Sequence, residues 1–145
     1  MSTNKFLSKE EEQLVVEAIK SAEFQTGGEI RVHVESLCKG NVLDRAASLF
    51  KSLKLHETEL RNGVLIYLST SDRKFAIIGD AGINAVVPAD FWEDVKETMI
   101  KNFSTGNMVQ GFVLGIAKVG EKLKEFFPYQ EDDVNELPDE ISYGK

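Results

Sequence analysis

Residues 62–84, NGVLIYLSTSDRKFAIIGDAGIN, constrain the fold more than any other stretch. Val64-Leu65-Ile66-Tyr67-Leu68 is a continuous apolar run, the pattern of a strand covered on both faces. Ser69-Thr70-Ser71-Asp72 supplies turn chemistry. Residues 74–78 form a second apolar strand, and Gly79-Asp80-Ala81-Gly82 punctuates its end. The expectation is a hairpin at the centre of a sheet, with helices packed around it.

Upstream, Ser8-Lys9-Glu10-Glu11 has the form of a capping box. Leu14, Val15, Ala18, Ile19 and Ala22 then repeat at helical spacing, so a helix is predicted over residues 9–24. Gly27-Gly28 stops it. From residue 29 to 37 the pattern alternates. Ile30, Val32 and Val34 share one face; Glu29, Arg31, His33 and Glu35 share the other. This reads as a strand near a sheet edge with one wet face, and His33 as an exposed strand residue. Asn41 suits a helix N-cap, and Leu43, Ala46, Ala47, Phe50 and Leu53 mark the helix that follows. Strand, helix and strand make a β-α-β unit, so the strand at 29–35 and the strand at 64–68 should be parallel.

Downstream, Asp90-Phe91-Trp92-Glu93 is a second capping-box pattern, with Phe91, Val95, Met99 and Phe103 facing inward. A last helix carries Met108, Phe112, Ile116, Val119 and Leu123, with Gly111 and Gly115 where a helix approaches the sheet closely. The order α-β-α-β-β-α-α gives an α/β fold: a mixed central sheet of three to four strands with helices on both faces, an α/β/α sandwich. A fourth strand is placed around Val86-Val87. Residues 1–128 form the α/β domain. Residues 129–145 read as an acidic, flexible tail whose removal leaves the fold intact.

Length supports one domain with its own core. Net charge is −7, and Glu131, Asp132, Asp133, Glu136, Asp139 and Glu140 crowd the last fifteen residues. Without them the body is near neutral. No basic footprint of a nucleic-acid binder is present. The single Cys38 excludes an internal disulfide and fits a reducing compartment. The N-terminus lacks a signal core, and the longest apolar runs are too short to span a bilayer. The expectation is a cytoplasmic monomer without membrane insertion.

No Walker A loop, GxGxxG, CxxC, HExxH or GxSxG occurs. Carboxylates near strand ends remain. Asp72 and Asp80 lie at opposite ends of one strand, roughly 20 Å apart at ~3.3 Å per residue, so they cannot share a metal. The Asp80 rim is the better candidate. Gly79 and Gly82 would leave backbone exposed, and Asn84 and Asp90 can approach. Oxygen donors of this kind suit Ca²⁺ or Mg²⁺, with Asp80 and Asp90 as ligands. The same glycine turn could hold an anion on its amides. Two structural roles compete: Asp80 as a turn residue and Asp90 as an N-cap.

Several segments together resemble the TPM domain family, also described as a TPM phosphatase domain. They are Thr26-Gly27-Gly28-Glu29-Ile30, Asn62-Gly63-Val64-Leu65-Ile66, Asp72-Arg73-Lys74 followed by apolar residues and Gly79, and Phe103-Ser104-Thr105-Gly106-Asn107 with Gly111 and Gly115. The family spaces its turn glycines more closely; here Gly79-Asp80-Ala81-Gly82 carries one more residue and an acid. The resemblance implies an α/β sandwich, divalent-cation binding in some members, acid-phosphatase activity in some and accessory roles in others. Two functions follow as expectations. One is a non-catalytic binding or accessory domain, its partner an unidentified protein. The other is a cation-dependent phosphoester hydrolase acting on a phosphorylated small molecule. There Asp80 and Asp90 hold the metal and Glu29 is the candidate base.

Overall fold

The computed structural model describes residues 7–130 and 138–144. Helix α1 (Lys9–Glu23) starts as its sequence dictates: Glu11 N donates to Ser8 Oγ at 3.1 Å, and Ser8 N donates to Glu11 Oε1 at 2.8 Å. Strand β1 (Glu29–Glu35) leads to α2 (Val42–Ser52), whose N-cap Asn41 accepts from Leu43 N and Asp44 N. A 3₁₀ turn at Leu55–Glu57 precedes the hairpin of β2 (Gly63–Ser69) and β3 (Lys74–Gly79). The short α3 (Ala81–Asn84), then α4 (Glu93–Ser104) and α5 (Met108–Leu123), follow. The last element is β4 (Ser142–Tyr143).

The sheet order is β3-β2-β1-β4. β1 and β2 are parallel, from Glu29 opposite Gly63 to Glu35 opposite Ser69, and β2 and β3 are antiparallel. Side chains alternate across the sheet and feed two cores. Ile30, Val32, Val34, Val64, Ile66, Leu68 and Ile77 pack with Val15, Ile19, Val95, Met99, Phe112, Ile116 and Val119 of α1, α4 and α5. On the other face Leu65, Tyr67 and Ala76 meet Ala46, Leu49 and Phe50 of α2, with Leu55 beneath. This is the expected α/β/α layering. No described helix is long and apolar enough to cross a membrane.

Six local expectations are corrected. β1 is not an edge strand, because β4 pairs with it in parallel at His33–Ser142 and Val34–Tyr143. Its polar face is dry: Glu29, Arg31, His33 and Glu35 are all buried. The fourth strand is β4 and not Val86-Val87, which follow α3 in a turn closed by Val86 N and Val87 N on Ile83 O. Part of the expected tail is therefore an element of the sheet, with Ile141 in the core; residues 131–137 lie outside the described residues. Asp90 does not cap α4. It lies a turn earlier, where its carbonyl accepts from Glu93 N at 3.1 Å. Finally, Gly111 and Gly115 admit α4 and not the sheet. A Cβ on Gly111 would lie 2.6 Å from the Phe103 ring, and one on Gly115 2.3 Å from Met99 Sδ.

Candidate functional site

The Asp80 rim is built by close backbone approach. A Cβ on Gly79 would lie 2.8 Å from Trp92 Cζ2, and one on Gly82 2.1 Å from Leu60 O. Glycine at these positions lets Trp92 and the connection before β2 reach the turn. The turn amides are spent internally. Asp80 N donates to Gly63 O and Gly82 N to Arg61 O, and Ile83 N and Asn84 N both donate to Asp80 O. Asp80 Oδ1 accepts from Ala81 N at 2.7 Å as the cap of α3. The Asn84 side chain donates to Gly79 O at 2.9 Å, closing the turn.

The carboxylate of Asp80 is equally engaged. Arg61 Nε donates to Oδ2 at 2.7 Å and Nη2 to Oδ1 at 2.9 Å. A bidentate guanidinium of this geometry occupies both oxygens. Asp90 is exposed in the turn before α4, and Glu29 is buried at the start of β1. As arranged, these residues do not fit a cation held between Asp80 and Asp90, because Arg61 already supplies the positive charge. Among the described residues no group of three or more His, Cys, Asp or Glu is placed to hold a metal ion.

At the opposite end of the sheet, where β1 and β2 present their carboxyl ends, a buried polar cluster surrounds Glu35. Arg45 of α2 donates from Nε at 2.9 Å and Nη2 at 2.8 Å. Tyr67 OH also donates to Glu35, and His33 Nε2 lies 3.1 Å from Oε1. Since a carboxylate only accepts, His33 carries its proton on Nε2, and Nδ1 then accepts from Ser142 Oγ at 2.9 Å. Burial lowers the His33 pKa and outweighs the carboxylate beside it, so the ring is neutral. Burial alone would raise Glu35, but the hydrogen bonds from Arg45, Tyr67 and His33 bring it down to about 2. Tyr67 is pushed up by burial and by donation to Glu35. Gly144 N donates to Val34 O at 2.8 Å, and a Cβ on Gly144 would lie 2.3 Å from Glu35 Oε1. The C-terminal segment thus lies directly over the cluster.

Beside this cluster, on the other face of the sheet, is an open cleft of about 410 Å³. It lies between the β2–β3 turn and the α4–α5 turn. Leu68, Phe75, Ile100, Phe103 and Met108 form its apolar walls; Ser69, Thr70, Arg73 and Ser104 form its polar side. Phe103 is the pivot, edge-on to Phe75 at 5.4 Å and to Phe112 at 5.2 Å. Ile100 stands off the inward stripe of α4 and is 52% exposed. Clefts of this volume beyond strand carboxyl ends, apolar with a few polar groups, are where small ligands bind in α/β proteins.

Sequence reasoning singled out neither feature. One signal was available for the cluster: Tyr67 carries the one hydroxyl within the apolar run 64–68, and a buried phenol needs a partner. For the cleft the signal was Ile100, apolar yet outside the 91-95-99-103 stripe.

The family model described as TPM domain matches residues 1–122. Among solved structures, the chain is similar to the BA42 protein of the psychrophilic bacterium Bizionia argentinensis, at 47% identity, TM-score 0.93, with 99% of each chain covered. It shares its fold with the N-terminal domain of a protein from P. gingivalis, at 18% identity and TM-score 0.70, covering 88% of this chain and 83% of that one. The N-terminal domain of cg2496 from Corynebacterium glutamicum shares it too, at 12% identity and TM-score 0.67, covering 83% and 76%. No curated protein matches the chain.

Proposed function

The chain belongs to the TPM domain family, and from that premise we propose that it is a non-catalytic binding domain whose ligand site is the cleft between the β2–β3 and α4–α5 turns. The cleft itself carries the reading: about 410 Å³, apolar walls and a short polar side. The engagement of the carboxylates supports it. Asp80 is held by Arg61 and caps α3, and Glu35 is held by Arg45, Tyr67 and His33. A phosphoester hydrolase would need Asp80 free for a cation, with Asp90 beside it and Glu29 reaching the same space. An accessory role toward a protein is the same binding reading with a macromolecular ligand.

The test is an amide-resolved titration of the full chain with 1-octanol, an uncharged apolar probe. Shifts should cluster at residues 68–75 and 100–108 and vanish in Ile100→Glu. Shifts scattered over the surface, or none, sink the reading. In parallel, p-nitrophenyl phosphate with Mg²⁺ or Ca²⁺ should not be turned over. Turnover that disappears in Asp80→Asn would put the hydrolase in its place.

A further inference from the structure

We propose that the cleft recognises a small carboxylate amphiphile, its apolar body on Phe75, Ile100, Phe103 and Met108 and its carboxylate on Arg73. The inference rests on the binding reading above and names its ligand class.

Charge carries the argument. The cleft lining contains Arg73 and no acid, in a chain of net charge −7. Every other described arginine faces carboxylates. Arg45 and Arg61 are bidentate on Glu35 and Asp80, and Arg31 lies in the field of Glu140 and Asp139. Arg73 has no ion pair among the described residues. Its neighbour Asp72 is engaged elsewhere, accepting from Cys38 N at 3.0 Å and from Ser69 Oγ, with Lys74 Nζ at 3.9 Å. An exposed guanidinium beside an apolar wall is a ready partner for a carboxylate, which it can grip through two parallel N–H···O bonds.

Backbone conformation and size agree. Arg73 sits at φ 52°, in the left-handed region where Gly or Asn is the comfortable occupant of a hairpin turn. The volume falls in the small-ligand range of about 300–1,000 Å³. One guanidinium matches a monoanion; a phosphate dianion would leave charge uncompensated.

The experiment compares octanoate, 1-octanol and acetate on the full chain, by amide-resolved titration, for the parent protein and Arg73→Asn. Asparagine suits the left-handed turn, so the variant should fold, with a Tm no lower than the parent's. Octanoate should shift residues 68–75 and 100–108 and bind about fivefold tighter than octanol, the gain of one exposed charge pair. Arg73→Asn should bring octanoate to the level of octanol and leave octanol unchanged. Acetate should bind far more weakly than octanoate. If octanol binds in the cleft as tightly as octanoate, or Arg73→Asn changes neither, the carboxylate inference is overturned while the cleft reading stands. If neither octanoate nor octanol moves these amides, both are overturned.

Discussion

At the scale of single residues, the partly buried Glu23 and the buried Glu35 pull stability in opposite directions with pH. Burial, then the hydrogen bond with Asp139, raises Glu23 to about 10 from an ordinary value near 4.5. Between those values the folded chain holds a proton that the unfolded chain releases, so stability falls as pH rises. Glu35 has the reverse sign. Held down to about 2, it adds stability that is fully present above 4.5 and lost as pH falls toward 2. Glu23→Gln keeps an acceptor for Ile30 N, now 2.9 Å from Oε2, and a donor for Asp139. It should gain about 1 kcal/mol at pH 8, one pKa unit's worth, or roughly 3 °C in Tm. Thermal melts from pH 5 to 9 check this: the parent should decline while the variant stays flatter, and parallel declines would refute it. At this scale Ser8, Glu11 and Asn41 were legible in the sequence, because a cap bonds within three residues of itself. His33 was not, because the strand that covers it brings the distant Ser142.

At the scale of elements, α5 is the helix on which the apolar layer turns, and its glycines mark its neighbours. In an exposed helix Gly→Ala gains about 1 kcal/mol. Here the sign reverses wherever the new methyl meets something rigid. At Gly115 it meets the Met99 thioether, which can swing aside. At Gly120 it meets Ala22, with Cα at 2.9 Å, and neither backbone can yield without moving α1. Gly120→Ala should therefore cost about 2 kcal/mol and Gly115→Ala clearly less. Urea denaturation of both variants tests the ranking; equal losses would contradict it. The elements themselves were largely readable, since helical and strand periodicities are local. What α5 touches was not: two glycines four apart announce close approach without naming the partner.

At the scale of the whole molecule, the end of the chain completes the sheet. Ile141 enters the core, Ser142 bonds His33, Tyr143 OH donates to Glu12 Oε2 at 2.6 Å, and Gly144 bonds Val34. Removing residues 138–145 should cost at least about 2 kcal/mol, the value of one buried Ile plus the exposed polar face of β1. A chemical melt of the truncated chain matching that of the full chain would refute this. Composition pointed the other way, because six acids in fifteen residues look like a solvated tail. The residues 62–84 by themselves determined a hairpin whose first strand is covered on both faces, and with the flanking periodicities an α/β/α sandwich, since burial pattern and turn chemistry act over a few residues. Only the tertiary structure decided that Asp80 pairs with Arg61, that the polar face of β1 is dry, and that a cleft opens beside Arg73. Each depends on which distant segments meet, and long-range contacts leave no period in the sequence for a local pattern to reveal.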